Sequence, residues 1–487
     1  DNPGDNPGNE LPDENTYFIN TQEDFDKWSF TFFPPGSKVL FAAGETFEGQ
    51  FVLLGDGDES TTNLVAAYDK ETGEIFTEWI DNKPVINGLG KVSETIQLKN
   101  GSYWEINNLE ITNTDGSDGQ QGDILGINVI AQDRGVVKNI MVKNCYVHDV
   151  NGNVGGKKTG GIHINVYGDS EPTIFENVTI EDNLISHVGG VGIANQSSYD
   201  SQPSDNYHPW TGLVYRGNRV EYTGRNGIIV RYAIDPLVEY NVGAYNSRYS
   251  TGNSFFNFNT VGCVVQYNEA YGNSSDDLEE TERGGFDADF NSINTIYQYN
   301  YSHDNHWFMA IQRKKLNNGV IVRYNVSVNE KVGAYIYGST NFFDLKNLQV
   351  YNNTHYFGEG TGTSMYISAG KQRPPMESDY ANNIFYFADE AEWVFDPDET
   401  CTTCTYKNNL FYNLSPRGEN WTVEDPLFVN PGIAPVDIDM KDPNRLSQYR
   451  LQENSPARNA GIILENNGGQ NFTGELLNGE SVNLGAF

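Results

Sequence analysis

One short stretch returns along the chain and ends each time in Tyr-Asn: LVEYN at 237–241, VVQYN at 264–268, IYQYN at 296–300 and IVRYN at 321–325. The closing Asn residues are therefore 27, 32 and 25 residues apart. Looser copies, in which alternating apolar residues follow an Asn, occur at Asn108, Asn144, Asn183, Asn218, Asn353, Asn383 and Asn409. Eleven copies at intervals of 23 to 39 residues predict one repeating unit decorated with loops rather than separate domains.

Each repeat carries two or three short runs of β-branched or aromatic residues, and Gly, Asn or Asp separates the runs. This composition is typical of strands and turns, whereas helical periodicity is nearly absent. A unit of this size favours a parallel β-solenoid, because a propeller blade needs about 40 residues or more. Equivalent positions on successive coils of a solenoid stack at about 4.8 Å. The recurring Asn therefore predicts a ladder of side-chain amides that hold the turns.

The two ends of the chain depart from the Asn rhythm. A capping box at Thr21 and Asp24 predicts a short helix near the start. Both ends are expected to act as caps, since an open solenoid end exposes a sheet edge. The predicted boundaries are 1–15 for a flexible tether, 16–90 for an N-terminal cap with the first coils, 91–423 for the β-helix with loop insertions, and 424–487 for a C-terminal cap.

The charge of the chain limits its partners. Its 487 residues carry 31 Lys and Arg against 66 Asp and Glu, a formal charge of −35. Nucleic acid is excluded as a general partner, because phosphate recognition needs a basic footprint. No run approaches the roughly 18 to 20 apolar residues of a membrane helix. The sequence also shows no signal peptide, as expected of a processed, mature chain.

Several longer stretches carry a family resemblance: residues 35–51 (PGSKVLFAAGETFEGQF), 83–88 (KPVING), 283–305 (RGGFDADF…YQYNYSHDN), 425–432 (DPLFVNPG), 449–461 (YRLQENSPARNAG) and 484–487 (LGAF). They resemble right-handed parallel β-helix proteins of the pectate-lyase-like superfamily. More narrowly, they are similar to secreted or lipoprotein carbohydrate-active enzymes of Bacteroidota.

The resemblance covers nearly the whole chain after the tether. It implies an all-β fold, a right-handed parallel β-helix of about eleven coils with N- and C-terminal caps. It also implies a monomer that acts on a poly- or oligosaccharide. The protein is expected to be secreted, periplasmic or an outer-membrane-anchored lipoprotein, with the anchor residue outside this chain. Because the superfamily includes glycoside hydrolases, polysaccharide lyases, esterases and binding proteins, the fold alone does not name the reaction.

Alternation along one strand of each repeat predicts which side chains face solvent, since residues two apart share a face. In GIHINV and GIIVRY the expected outward residues include His163 and Arg231. In GFDADF, Phe286, Ala288 and Phe290 point inward, which leaves Asp287 and Asp289 outward. The same alternation places Tyr335, Tyr337 and Tyr366 outward further along the chain.

Asp287 and Asp289 are the predicted catalytic residues. Two carboxylates on one strand face lie about 6.5 Å apart at the backbone. Side-chain flexibility then allows either the retaining separation of about 5 Å or the inverting one of about 6.5 to 9.5 Å. Like charges this close raise one pKa, which provides a protonated acid beside an ionised base. The alternative interpretation is a solvated surface pair or a cation site.

Residues around the pair are predicted to bind and orient a sugar chain, by stacking of aromatic faces and by hydrogen bonds. The predicted substrate-binding residues are His163, Arg231, His303, Asp304, Trp307, Arg313, Tyr335, Tyr337 and Tyr366. Lys157 and Lys158 either rim the same groove or belong to a plain surface loop.

Two alternatives to a glycoside hydrolase stay open. A polysaccharide lyase needs a base and a group that neutralises a uronate carboxylate. Arg231, Arg283, the run 313–315, His163 and His303 are candidates for these roles, and Asp276, Asp277 and Glu280 are candidate Ca²⁺ ligands. The second alternative is a glycan-binding solenoid without catalysis. A hydrolase requires no cofactor, whereas calcium would accompany the lyase; no metal site is assigned.

Overall fold

The structure is a computed structural model that describes residues 15–117, 120–154, 156–273, 282–312, 316–338, 345–368, 377–394, 403–477, 479 and 481–487, with the backbone alone at 366–368. Within these residues the chain winds into a solenoid of three β-sheets, and every pairing between its strands is parallel. This architecture confirms the predicted parallel β-helix. The count of about eleven coils stays a prediction.

Sheet I has 17 strands in the described residues. They are Thr16–Ile19, Lys38–Ala42, Asn63–Tyr68, Trp104–Asn107, Val136–Lys143, Ile174–Glu181, Trp210–Arg216, Ala233–Ile234, Leu237–Glu239, Thr260–Val261, Val264–Gln266, Ser292–Ile293, Ile296–Gln298, Ile321–Arg323, Leu348–Tyr351, Ser378–Ala381 and Thr405–Lys407.

Sheet II has 13 strands in the same part of the chain. They are Thr46–Glu48, Val85–Asn87, Glu110–Asn113, Tyr146–Val150, Leu184–Val188, Arg219–Glu221, Val242–Ala244, Glu269–Tyr271, Tyr301–His303, Val326–Val328, Thr354–Phe357, Ile384–Ala391 and Leu410–Leu414.

Sheet III, which carries the candidate site, has 12 described strands. They are Thr31–Phe32, Phe51–Leu54, Glu94–Lys99, Leu125–Gln132, Gly160–Tyr167, Val191–Ser197, Ile228–Arg231, Phe255–Phe258, Gly284–Ala288, Trp307–Gln312, Gly333–Gly338 and Ser364–Ser368.

The repeat found in the sequence sets the register of sheet I. Val238 pairs with Val265, Val265 with Tyr297, and Tyr297 with Val322, so the apolar centre of each repeat stacks on the next. All four side chains belong to the central hydrophobic core. Burial of these stacked positions fixes the register, because a slip by one residue would turn every side chain to the other face.

A ladder of buried Asn residues runs along the corner between sheets I and II. From Asn218 onward, the side-chain oxygen of each accepts the backbone N–H of the Asn one coil earlier, at 2.9 to 3.2 Å. Its members are Asn183, Asn218, Asn241, Asn268, Asn300, Asn325, Asn353, Asn383 and Asn409. The ladder predicted from the sequence is therefore present over nine coils.

The prediction was wrong for the two earliest members. Asn108 and Asn144 have φ of 57° and 53° and occupy the left-handed corner position. The inner position beside Asn183 is instead taken by Cys145, whose backbone N–H donates to the Asn183 side chain at 3.0 Å. Asn tolerates the left-handed region better than most residues, so the same residue type fits both positions.

The two ends of the chain cover the solenoid differently. The helix Gln22–Trp28 starts at the predicted capping box of Thr21 and Asp24, and its Phe25 is buried in the central core. The described residues of the segment 424–487 are mostly irregular in structure and include the short 3₁₀ helix Ser447–Tyr449. Their apolar side chains pack on outer aromatic residues of sheets I and II. The predicted domain boundaries stay predictions, and residues 1–14 lie outside the described residues.

Among the residues described, no helix is both long and apolar enough to span a membrane.

Candidate active site

Asp287 sits on the outer face of sheet III, between two apolar clusters. Its strand neighbours Phe286 and Ala288 are buried in the core, as the alternation predicts. On the outer face, Asp287 pairs with Phe256 on one side and with Ala310 on the other. Phe256 belongs to one outer apolar cluster and Ala310 to a second. A carboxyl group between two apolar coils loses most of its contact with water.

The Asp287 carboxyl is held by a single side-chain donor in the described part of the chain. The side chain of Asp287 is 4% exposed. The amide of Asn253 donates to its Oδ2 at 3.1 Å, and Asn253 is itself fixed by the Gly284 N–H, which donates to the Asn253 oxygen at 2.7 Å. The other oxygen, Oδ1, is buried without a hydrogen-bond partner among the described residues. An unpaired buried oxygen strongly favours the protonated carboxyl.

The two carboxyls differ in their acidity. Burial first, and then the charges of Asp289 and Glu282, hold the pKa of Asp287 well above the ordinary value of an aspartate. Burial also raises the pKa of Asp289, but only to about 6, because the nearby charges of Lys157 and Arg231 favour its ionised form. The surroundings therefore favour the protonated form of Asp287 more strongly than that of Asp289.

Asp289 lines an open cavity of about 390 Å³ on this face. Phe256, Phe258 and Phe290 supply the apolar part of its lining, and Arg231 and Lys157 supply positive charge. The predicted inward orientation of Phe290 was therefore wrong, because the strand ends at Ala288 and the alternation does not continue beyond it. A cavity of this size falls within the range of roughly 300 to 1,000 Å³ typical of small-ligand sites.

Arg231 and Lys157 approach the cavity from separate coils. The Arg231 guanidinium donates to Gln196 at 3.2 Å and lies 5.8 Å from the centre of the Phe256 ring. The Lys157 ammonium lies 4.3 Å from the same ring centre. Burial lowers the pKa of Arg231 to about 10 and also lowers that of Lys157. Both cations stack on one aromatic face, which stabilises positive charge next to Asp289.

The turn 151–159 between sheets II and III places Lys157 and Lys158 in the cavity wall. Its ends are drawn together by Thr159, whose hydroxyl donates to the Asn153 carbonyl at 2.6 Å. The chain then enters sheet III at Gly160 with φ of 143°. A Cβ there would lie 1.7 Å from the Val191 carbonyl oxygen, so this entry requires glycine. Of the two interpretations of the Lys pair, the structure supports the groove rim.

His163 lies on the same outer row but several coils away. The row runs from His163 through Ala194, Ile229 and Phe256 to Asp287. Four inter-strand steps of about 4.8 Å put the backbones of His163 and Asp287 roughly 19 Å apart. Burial lowers the pKa of His163 to about 4, and the histidine does not line the cavity. The structure therefore separates His163 from the aspartates.

The predicted outward orientation of Tyr335 and Tyr337 was wrong. Both are fully buried in the central core, because Tyr335 pairs with the inward Met309 and Tyr337 with the inward Ile311. Ile336, between them, lies in an outer apolar cluster. The segment GAYIYG is apolar at every alternate position, so its sequence does not identify the inward face. Inside the core, the Tyr335 hydroxyl bonds His355 and the Tyr337 hydroxyl bonds Tyr380. These hydrogen bonds lower the free-energy cost of burying the two hydroxyls.

His303, Asp304 and Trp307 are not part of the cavity lining. The fully buried His303 belongs to sheet II, where its ring bonds Glu269 at 3.2 Å and Asp304 at 2.7 Å. Burial acts to lower the pKa of His303, but these two carboxylates outweigh it and raise the pKa. Trp307 is buried with Ala310 in the outer cluster beside Asp287. Trp307 thus contributes to the apolar surroundings of Asp287 and does not line the Asp289 cavity.

Of the remaining predicted residues, Arg283 is described and fully buried, and it does not line the cavity. The others fall outside the described part. These are the run 313–315, with Arg313, and the candidate calcium ligands Asp276, Asp277 and Glu280. For Tyr366 the structure gives only the backbone, which pairs with Tyr335.

Sequence reasoning missed Phe256, Phe258, Gln196 and Asn253. A hydrophobic pattern does not separate an outward Phe on a cavity floor from an inward one. Asn253 lies in a turn, where Asn is common for purely local reasons. Among the described residues no group of three or more His, Cys, Asp or Glu side chains has the arrangement of a metal site.

Comparison with known proteins places this geometry in context. The chain is 26% identical over 471 residues to a lacto-N-biosidase of Bifidobacterium longum subsp. longum. That match covers 78% of this chain and 28% of the relative, so this chain spans less than a third of the relative's length. No family model matches the chain.

Two solved structures are similar to this chain at low sequence identity. The native GH136 lacto-N-biosidase from Eubacterium ramulus has a TM-score of 0.56 at 21% identity, covering 73% of this chain and 67% of that one. An alginate lyase from Paenibacillus sp. str. FPU-7 has a TM-score of 0.41 at 14% identity, over 73% and 95% of the two chains. The first likeness shows a common β-helix architecture.

Proposed function

We propose that this chain is a glycoside hydrolase in which Asp287 is the general acid and Asp289 is the base or nucleophile. The observation that carries the proposal is the pair itself: Asp287 on the outer face of a sheet III strand and Asp289 just after the end of that strand, both with raised pKa, the second lining a cavity with aromatic and cationic walls. Two carboxylates whose surroundings separate their pKa values are what glycosidic hydrolysis requires. The similarity to lacto-N-biosidases supports the same class of reaction.

In the proposed reaction, Asp287 gives its proton to the glycosidic oxygen as the bond between that oxygen and the anomeric carbon breaks. Asp289, ionised above a pKa of about 6, either takes a proton from the attacking water or bonds to the anomeric carbon. Water finally supplies the hydroxyl of the new reducing end, and Asp287 regains a proton. The Phe256 and Phe258 rings provide faces on which the apolar side of a sugar ring packs.

The buried environment of Asp287 suits the acid role, because it keeps the carboxyl protonated until a leaving oxygen arrives. Arg231 and Lys157 suit the opposite role for Asp289, since they hold that carboxylate in its charged form. Whether the reaction retains or inverts the anomeric configuration depends on the distance between the two carboxyl groups in the substrate complex.

The test is a panel of neutral and uronate glycans. Lacto-N-biosides are tested first, because the similar proteins are lacto-N-biosidases. Asp287→Asn and Asp289→Asn are compared with the unaltered protein by reducing-end release and by near-ultraviolet absorbance. We expect new reducing ends without absorbance, and a loss of about 10²- to 10⁴-fold in either variant. Full activity in both variants would rule out the carboxylate mechanism.

A polysaccharide lyase is the second candidate, and Lys157 favours it. Burial lowers the pKa of this lysine, which increases the fraction present as the neutral amine that can accept a proton. Arg231 lines the same cavity and supplies the positive charge that neutralises a uronate carboxylate. A lyase creates an unsaturated product that absorbs in the near ultraviolet. Absorbance that survives Asp289→Asn but disappears in Lys157→Met would establish this alternative. A glycan-binding solenoid would give neither signal.

We further propose that the protein works outside the cell or at the outer membrane, as expected from the sequence. The monomeric state also stays a prediction, which light scattering of the purified protein would check.

A further inference from the structure

A second cavity, of about 600 Å³, opens at the corner between sheets II and III. We call it the tyrosine groove and define it by Asp149, Val154, His187, Tyr222, Arg248 and Tyr249, all in its lining. None of these side chains belongs to the proposed catalytic pair or to the cavity around it.

Stacked aromatic rings form one wall of the tyrosine groove. The rings of His187 and Tyr222 are 4.8 Å apart at an angle of 22°, and those of Tyr222 and Tyr245 are 5.1 Å apart at 12°. All three residues have φ between 52° and 55°, which repeats one left-handed turn on successive coils. The stack ends at Gly272, where a Cβ would lie 2.5 Å from the Tyr245 ring. The result is a short platform of parallel rings.

The chain leaves this platform uncovered, although it covers a comparable one. Tyr267 and Tyr299 form another outer stack at 5.1 Å, and the C-terminal segment closes over it. There the Tyr299 hydroxyl donates to the Gly468 carbonyl, and the Gln470 amide donates to the Tyr267 hydroxyl. On the platform, by contrast, Tyr245 is 40% exposed, and the nearby Tyr249 is 58% exposed.

Polar groups surround the exposed rings. The Arg248 guanidinium lies 5.7 Å from the Tyr222 ring centre and 5.3 Å from that of Tyr249, so it bridges the two rings. Asp149 lines the same groove and is exposed. Within the stack the rings cover one another's faces, whereas the Tyr249 ring lies outside it and is exposed. An exposed aromatic ring beside hydrogen-bonding groups matches a sugar ring, which has an apolar face and a rim of hydroxyls.

The groove and the candidate active site are lined by residues of the same stretches of chain. In the turn 151–159, Val154 lines the tyrosine groove while Lys157 and Lys158 line the Asp289 cavity. Gly189 and Gln196 likewise line the two cavities from one stretch of chain. Seven residues of strand at about 3.3 Å each separate them by roughly 23 Å. A disaccharide does not span this distance, whereas a longer glycan does.

We propose that the tyrosine groove is a second sugar-binding site, which holds the distal part of an oligosaccharide whose other end lies in the Asp289 cavity. The part of this proposal that places the other end of the glycan in the Asp289 cavity rests on the proposed hydrolase function. It identifies the preferred substrate as a glycan long enough to reach both cavities.

The test uses the full chain carrying Asp289→Asn, so that bound glycans are not cleaved, on a printed array of short and long oligosaccharides. Adding Tyr249→Ala removes one ring contact and is therefore expected to weaken binding of the long glycans about tenfold. Binding of the short glycans should not change. Trp421→Ala, at another exposed aromatic residue outside both cavities, is the matched control. Tyr249 is exposed, so its replacement leaves folding intact; unfolding midpoints verify this.

Kinetic measurements on the protein that retains Asp289 test the groove proposal independently of the hydrolase proposal. Tyr249→Ala should raise KM for long substrates and leave kcat and KM unchanged for a chromogenic disaccharide glycoside. The groove proposal fails if the array shows no binding, if Tyr249→Ala binds every glycan as the parent does, or if short and long glycans weaken equally. Hydrolysis that persists in Asp289→Asn, with Tyr249-dependent binding intact, would instead overturn the catalytic assignment alone.

Discussion

Replacement of one Asn in the ladder tests how the solenoid is held together. The Asn300 side chain makes four buried hydrogen bonds. It donates to the Val265 carbonyl at 2.8 Å and to the Asn325 side chain at 3.0 Å, and it accepts the backbone and side-chain N–H groups of Asn268, each at 3.0 Å. A buried hydrogen bond contributes about 1 kcal/mol to the free energy of unfolding. We therefore expect Asn300→Ala to cost about 4 kcal/mol.

The last rung of the ladder offers a graded comparison. Asn409 makes three such bonds, one to the Tyr380 carbonyl and two from Asn383, all at 2.9 Å. Asn409→Ala should therefore cost about 3 kcal/mol. The exposed Asn430 provides the control, and Asn430→Ala should change the free energy of unfolding by less than about 0.5 kcal/mol.

The assay is urea unfolding followed by far-ultraviolet circular dichroism, with free energies extrapolated to water for each variant. A graded series, in which Asn300 costs most and Asn430 least, supports the count of bonds. If Asn300→Ala were no more destabilising than Asn430→Ala, stacking of the apolar core rather than the amide ladder would hold the corner, and the reasoning would be refuted.

Three further predictions follow from the buried polar groups. Burial and charge repulsion raise the pKa of Asp287 and Asp289 in the folded state. The free energy of unfolding therefore falls as pH rises from the unfolded-state pKa of about 3.9 through the folded-state pKa values. Asp289→Asn should therefore raise the unfolding midpoint at pH 8 and change it little at pH 4; an equal shift at both would contradict this. Tyr337→Phe removes the partner of the buried Tyr380 hydroxyl and should cost about 1 to 3 kcal/mol without changing glycan turnover, which kinetics and urea unfolding together would verify. Burial raises the pKa of the Cys145 thiol to about 12, so this thiol should resist a disulfide reagent until urea unfolds the chain, and rapid labelling of the native protein would refute its burial.

The sequence alone determined the repeating architecture. A Tyr-Asn stretch that recurs every 25 to 32 residues, with strand and turn chemistry between copies, allows few folds other than a stacked solenoid. Alternation then placed Asp287 and Asp289 on one face, because the neighbours Phe286 and Ala288 differ from them clearly in polarity. Where the two faces of a strand differ in chemistry, the pattern identifies the buried one.

Tertiary structure decided the rest, for two physical reasons. In Tyr335 to Tyr337 both alternate positions are apolar, so only the register with Met309 and Ile311 turned the tyrosines inward. Lys157 reaches Asp289 from a turn 132 residues earlier in the chain, and only the stacking of coils brings such distant residues together. Local periodicity fixes which residues share a face, whereas packing fixes which face is buried and which distant groups meet.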